Sequence, residues 1–283
     1  MGIVLGANQY GKAETRVVRI HRDTDRHEIR DLNVSTCLRG DFAAAHVGGD
    51  QSRVLPTDSQ KNTAFAYAKA HGVASPEDYA LALGRRLIQA SPAATEAVVT
   101  VREHAWDRVP VGGAGHDHSF VRRGTETRTV EVVVGETTVV RSGLSELSVL
   151  KSTGSEFKGF LVDEYTTLAE ADDRVLATSL TATWRHAGAE ARDWDASYAA
   201  VRALLLETFA TTYSHALQET LHAMGRAVLE AHDDLVEVSF VAPNRHHLLV
   251  DLAPFGLENP GEVFYAADRP YGLIEATVTR DEE

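Results

Sequence analysis

The chain has 283 residues, 43% of them hydrophobic, and 28 Lys and Arg against 41 Asp and Glu give a formal net charge of −13. That length can bury one large core or two smaller ones, while the acidic balance argues against nucleic acid as a partner, because a phosphate backbone is held mainly by Lys and Arg. No apolar run approaches the roughly 20 residues that cross a bilayer, and the lone Cys37 excludes an intrachain disulfide or a cysteine-built zinc site.

The N-terminal MGIVLGANQYGK has neither the charged leader nor the apolar segment of a signal peptide. The closing Arg280-Asp281-Glu282-Glu283 is no peroxisomal address. The expected compartment is a reducing cytoplasm. Glu14 to His21 and Glu28 to Arg39 carry β-branched residues around a polar turn at Asp23 to Arg26, which predicts a hairpin. Val54 leads into Thr57, Asp58 and Ser59, which open a helix running through Thr63 to Ala70. A second helix has a clear start: Ser75 as N-cap, Pro76 first, Glu77 and Asp78 in the first turn, with Leu83, Leu87 and Ile88 as its apolar face. Ala97 to Val109 and Val121 to Val134 predict two strands around a loop at Gly112 to Gly115.

The second half repeats the order with longer parts. Thr137 to Arg141 and Leu147 to Lys151 are expected as strands, and Arg174 to Trp184 as an extended insertion. Tyr198, Val201, Leu205 and Phe209 fall at helical spacing, and Leu217, Leu221, Met224 and Val228 repeat it, with Ser214 between them as a cap or kink. Leu235 to Phe240, His246 to Leu252 and Leu273 to Thr279 close the chain as strands. Two copies of strand–strand–helix–helix–strand–strand predict an α+β fold, antiparallel sheets with helices on one face. The boundary is expected near Gly135, giving domains 1–136 and 137–283. Open sheet edges would be covered by closing identical subunits into a ring.

The stretch Val149 to Leu168 organises this plan. It starts as a strand, breaks into a Ser/Thr/Gly loop at Ser152 to Ser155, then presents Phe157, Phe160 and a helix-compatible segment. Such a loop exposes backbone N–H groups, and an aromatic beside it offers a face to a flat ligand. Val54 to Ala66 has the same grammar. No GxGxxG, Walker or HExxH motif occurs. His246 and His247 are adjacent and would point to opposite faces of a strand. His116 and His118 could share a face, but no third ligand stands nearby. The remaining polar candidates, Lys12, Thr57, Asp58, Gln218, Asn244 and His246, sit where strands end or helices begin, and Phe157 and Arg174 flank the organising stretch. Singly, each reads as easily as a cap, a core residue or a solvated charge.

Their ordered pattern is more specific. YGK (Tyr10–Lys12), TDSQKNT (Thr57–Thr63), KSTGSEFKGF (Lys151–Phe160), DEYTTL (Asp163–Leu168), Asp173–Arg174, Leu217–Gln218 and PNRHH (Pro243–His247) span the chain and resemble the urate oxidase (uricase) family, most closely its bacterial members. Two departures are Arg245, where Lys is common in the family, and Val162, where many relatives carry Arg. The resemblance implies tandem tunnelling-fold (T-fold) domains and a homotetramer whose barrels close between chains. It also implies oxidation of urate by O2, without cofactor or metal, to 5-hydroxyisourate and hydrogen peroxide. By matching motifs, Phe157 would stack on the purine, with Arg174 and Gln218 on its polar edge. The backbone of Leu217, Thr57 and Asp58 would complete the hydrogen bonds. Asn244 and Thr57 would hold oxygen or water, and Lys12, Thr57 and His246 would form a proton relay. Two other readings stay open on the residues alone: a zinc-dependent enzyme acting on a pterin or purine ring, and a purine-binding protein without catalysis.

Overall fold

The structure, a computed structural model, describes residues 2–281. The chain divides into two compact units, Met1–Gly143 with Arg185–Tyr198, and Leu144–Trp184 with Ala199–Glu283.

The first unit holds β1 (Tyr10–His21), β2 (Glu28–Gly40), the short α1 (Ala43–Gly48), α2 (Thr57–Ala70), α3 (Pro76–Ala90), β3 (Ala94–Val111) and β4 (Ala114–Val134). The four strands pair antiparallel in chain order. Period-two alternation puts Leu32, Val34, Thr36 and Leu38 of β2 on the buried face. Helices α2 and α3 cover that face, contributing Ala64, Ala68, Leu83 and Leu87 to a core with Val99, Val101, Val130 and Val132. Each fully buried leucine stabilises the unit by about 1.5–3 kcal/mol relative to exposure. Small residues bring the helices close. A Cβ at Gly84 would lie 2.8 Å from the Val134 side chain, so only glycine admits this approach of α3 to the sheet. Helix α3 starts as its sequence requires: the Ser75 hydroxyl accepts the Asp78 N–H at 3.0 Å, and Pro76 follows. The expected loop at Gly112 to Gly115 contracts, because Gly112 and Gly113 take positive φ and β4 begins at Ala114.

The second unit is built from β5 (Thr138–Lys151), β6 (Leu176–His186), α4 (Trp194–Thr211), α5 (Leu217–Ala231), β7 (Leu235–Asn244), β8 (His247–Leu249), β9 (Phe264–Ala266) and β10 (Gly272–Thr279). The first residues of β5, the end of β6 and the start of α4 group with the first unit. Its strand order is β5-β6-β7-β10, with β7 and β10 antiparallel from Asn244↔Gly272 to Glu237↔Thr279. Helix α5 buries Leu217, Leu221, Met224, Val228 and Leu229. A Cβ on Gly225 would sit 2.6 Å from Val278, which fixes α5 tightly on the sheet. Set aside α1 and the small β8–β9 hairpin, and both halves of the chain run strand–strand–helix–helix–strand–strand.

Four expectations in this half are corrected. The two strands expected between Thr137 and Lys151 are one, β5, which absorbs a local kink at Glu146 with φ 60°. The supposed insertion after Arg174 is β6, a core strand with Leu176, Thr178, Leu180, Ala182, Trp184 and His186 all buried. The segment after Phe160 is not helical: the Asp163 carboxylate accepts the Tyr165 N–H at 3.0 Å and the Thr166 hydroxyl at 2.8 Å, closing a turn instead. The strand expected from His246 to Leu252 shortens to β8.

Candidate active site

In the first unit the site begins at Gly11. A Cβ there would fall 1.8 Å from the Thr36 carbonyl oxygen, so glycine alone lets β1 come this near β2. Lys12 then pairs with Thr36, and the register breaks between Lys12 and Thr15. The break is a bulge: Glu14 adopts φ 56° and its N–H is taken by the Ser35 hydroxyl at 2.9 Å. Tyr10, Lys12, Thr15 and Val17 lie opposite Leu38, Thr36, Val34 and Leu32. Lys12 therefore interrupts a stripe of core-facing residues, half-buried on the side that α2 covers.

Thr57 is the first residue of α2. Pro56 precedes it and no side chain caps the helix. The first N–H bonded back is that of Gln60, to the Pro56 carbonyl at 3.1 Å, which leaves those of Thr57, Asp58 and Ser59 directed out of the helix end. The exposed Asp58 carboxyl is held below its usual range chiefly by its hydrogen bond from Lys61, and Lys12 adds a smaller attraction.

The second unit gathers the other candidates around a cavity of about 240 Å³, lined by Phe157, Leu168, Ala169, Ala171, Arg174, Leu217, Gln218, Asn244, His246 and Ile274. Backbone bonds fix Phe157: its N–H reaches the Ala171 carbonyl at 2.9 Å and its carbonyl accepts the Ala171 N–H at 3.0 Å. Phe160 stacks on it at 5.1 Å and 17°. The Arg174 N–H donates to the Ser155 carbonyl at 2.7 Å, and Asp173 ties the same loop by accepting from the Thr153 hydroxyl at 2.6 Å and from the Ser155 and Arg174 N–H groups. Arg174 makes no ion pair among the described residues, and burial lowers its pKa. An unpaired, half-buried guanidinium is available to an anion.

Leu217 and Gln218 open α5 much as Thr57 and Asp58 open α2. Ala216 offers no side-chain cap, and the first N–H bonded back is that of Thr220, to the Ala216 carbonyl at 3.3 Å. Asn244 ends β7 opposite Gly272. His246 sits in the link to β8, held by the Arg245 N–H to the Ala177 carbonyl and the Ala267 N–H to its own carbonyl, both 2.9 Å.

Six of the expected site residues thus share one cavity, while Lys12, Thr57 and Asp58 form a separate cluster in the first unit. Leu168, Ala169, Ala171 and Ile274 escaped the sequence reading, since small and aliphatic residues carry no chemical signature. Ser214, expected as a cap or kink, is instead a fully buried junction. It bonds through its backbone to Gly154 and Glu156, and its hydroxyl accepts from Thr220 at 2.8 Å. The His116 and His118 rings lie 4.4 Å apart, and no group of three or more His, Cys, Asp or Glu among the described residues is arranged to hold a metal ion. No helix among the described residues is long and apolar enough to cross a membrane.

In the second unit, a flat face, a guanidinium at its edge and the uncapped start of α5 together suit a planar anion rich in hydrogen-bonding groups. Comparison with known proteins points the same way. The uricase family model matches residues 8–133 and 140–275. A uricase from Arthrobacter globiformis is 51% identical over 280 residues, covering 99% of this chain and 91% of its own. A crystal structure of the Arthrobacter globiformis uricase superimposes with a TM-score of 0.95, covering 100% of this chain and 97% of that one. The uricase of Aspergillus flavus is 37% identical, covering 97% of this chain and 96% of its own. The double strand–helix plan is accordingly the tandem T-fold, and the chain belongs to the uricase family of oxidoreductases.

Proposed function

We propose that this enzyme oxidises urate with molecular oxygen, without metal or organic cofactor, giving 5-hydroxyisourate and hydrogen peroxide. The observation that carries the reading is the cavity that brings Phe157, Arg174, Leu217, Gln218, Asn244 and His246 together. Phe157 stacks on the purine, and Arg174 and Gln218 grip its polar edge. The N–H groups of Leu217, Thr57 and Asp58 complete the hydrogen bonds. Asn244 and Thr57 hold O2 and then the water that follows it. Arg174 supplies locally the positive charge that a chain of −13 lacks overall.

The reaction balances as urate, O2 and water going to 5-hydroxyisourate and H2O2. Two electrons leave the ring for oxygen, and a hydroxyl from water adds to the ring. Triplet oxygen reacts slowly with ordinary organic molecules, and most enzymes answer this with a metal or flavin. A further deprotonated urate is electron-rich enough to give oxygen an electron directly, so the protein's main task is to take protons and hold oxygen at the ring. Lys12, Thr57 and His246 form the relay that does so, Thr57 passing the proton between amine and imidazole. The influence of Lys12 on Asp58, beside Thr57, supports this grouping.

The two clusters complete each other between chains. Lys12, Thr57 and Asp58 of one copy face the Phe157 cavity of a second, within a homotetramer built from barrels that T-fold domains 1–136 and 137–283 close in pairs. A cytoplasmic location is part of the same proposal, and the lone Cys37 suits a reducing compartment. The test is urate loss followed with oxygen uptake and peroxide release in protein treated with chelator. Matched consumption supports the reading. Turnover that disappears with chelator and returns with zinc or iron would favour metal-dependent chemistry. Binding of 8-azaxanthine-like analogues with no urate loss would favour a purine-binding protein.

A further inference from the structure

Thr36 and Gln60 form a hydrogen bond inside the first unit, the Thr36 hydroxyl donating to the Gln60 side-chain oxygen at 2.8 Å. Thr36 is 6% exposed and Gln60 0%, so neither group reaches solvent. An unpartnered amide at that depth would be costly, and these two satisfy each other. The Gln60 amide nitrogen also donates to the Leu55 carbonyl at 3.4 Å, in the turn that leads into α2.

Their neighbours give the bond its meaning. Thr36 is the cross-strand partner of Lys12, so the two side chains leave the sheet on one face, beside each other. Gln60 follows Thr57 by one helical turn, and residues at that spacing share a side of the helix. On the sheet, then, the bond lies next to Lys12, and on the helix it lies next to Thr57. The other buried residues of α2 are Ala64 and Ala68. Methyl groups pack but do not direct, whereas a buried hydrogen bond fixes both rotation and slide.

We propose that the Thr36–Gln60 hydrogen bond positions the proton relay, setting the separation of the Lys12 amine from the Thr57 hydroxyl. The proposal rests on the urate oxidase reading given above. Thr36 and Gln60 touch no substrate and are positioning residues: proton transfer falls off when donor and acceptor drift from hydrogen-bond reach, while the grip on urate, made mostly by the other cluster, is untouched.

The test uses the full-length protein with Thr36→Val, Thr36→Ser, Gln60→Leu and the double variant Thr36→Val/Gln60→Leu. Steady-state urate oxidation and melting temperature are measured on each. Thr36→Val and Gln60→Leu are expected to lower kcat about tenfold or more with KM for urate little changed, while Thr36→Ser keeps the hydroxyl and the rate. In the double variant both partners become apolar, so the melting temperature recovers, but kcat does not. If kcat recovers together with melting temperature, the bond is only structural and the proposal fails. It fails equally if Thr36→Val turns over like the wild type. Wild-type protein inert towards urate would instead defeat the functional reading itself, and the relay with it.

Discussion

The Arg174 guanidinium carbon lies 5.2 Å from the centroid of the Phe157 ring. The two side chains come from opposite ends of one loop, joined by the Ser155–Arg174 and Phe157–Ala171 backbone bonds. An aromatic face and a planar cation are thereby brought together before any ligand arrives, so little ordering remains to be done on binding. Removing the guanidinium should weaken binding more than it slows the chemical step. Arg174→Ala is expected to raise KM for urate by about 10- to 100-fold, with a smaller change in kcat. Arg174→Lys should recover only part of this, because an ammonium cannot form the two parallel bonds. Steady-state kinetics with a direct binding titration separates the two quantities, and an equal fall in both would contradict the assignment.

The relay residues should behave in the opposite sense. If the proposed relay operates, Lys12→Ala and Thr57→Ala remove groups that act on the proton in flight, so kcat should drop by about 10²–10⁴-fold. Binding should change far less, because Phe157 and Arg174 remain. The same kinetic split measures it.

A buried hydroxyl pair links the loop of Phe157 to the start of α5. Thr220 donates to Ser214 at 2.8 Å, both fully buried, and the Ser214 backbone holds Gly154 and Glu156. This joins the loop of Phe157 and Arg174 to the α5 end carrying Leu217 and Gln218. Thr220→Val deprives the Ser214 oxygen of its donor and should cost about 1–3 kcal/mol in a denaturant titration. KM should rise as the two halves of the clamp lose register, and Thr220→Ser should preserve both.

Asp195 makes a stability prediction with a definite sign. Burial alone would raise its pKa, but hydrogen bonds from Arg30 and Arg128 outweigh that effect and hold the carboxyl below its ordinary value. A carboxylate depressed in the folded state stabilises fully above its unfolded pKa of about 3.9 and loses that contribution as pH falls through the folded value. Wild type should therefore lose melting temperature more steeply than Asp195→Asn as pH drops below about 4. Parallel curves would mean that the two arginines give Asp195 no net stabilisation.

The sequence was easiest to read where local chemistry and tertiary structure agree. The β1–β2 hairpin has an exposed polar turn between alternating strands, and Ser75 caps α3 through Asp78 in the helix's own first turn, with Pro76 at its start. It was hardest where packing overrides local preference. Strand β6 is rich in Ala, Ser and Thr and looked peripheral, yet alternate residues from Leu176 to His186 are buried. The stretch after Phe160 has helical composition, but Asp163 satisfies the nearby N–H group and hydroxyl before a helix can form. For the site, charged and aromatic groups at strand ends were visible as candidates, and motif order gave them roles. Gln60 and Thr36 were not visible, because a polar pair hidden between helix and sheet looks in sequence like any surface Thr and Gln. One signal was present: Lys12 follows Tyr10 at strand spacing, and a cation on a core-facing stripe seldom lacks a purpose.

The central claim is that two copies of this chain build each site together. Lys12→Ala and Arg174→Ala, each with a different affinity tag, can be co-expressed and the mixed assembly purified through both tags. Urate turnover in that hybrid should rise well above that of either variant alone, since a site can draw its intact Lys12 from one copy and its intact Arg174 from another. A hybrid no more active than its parents would place both residues in a site made by a single chain, and the account would be wrong.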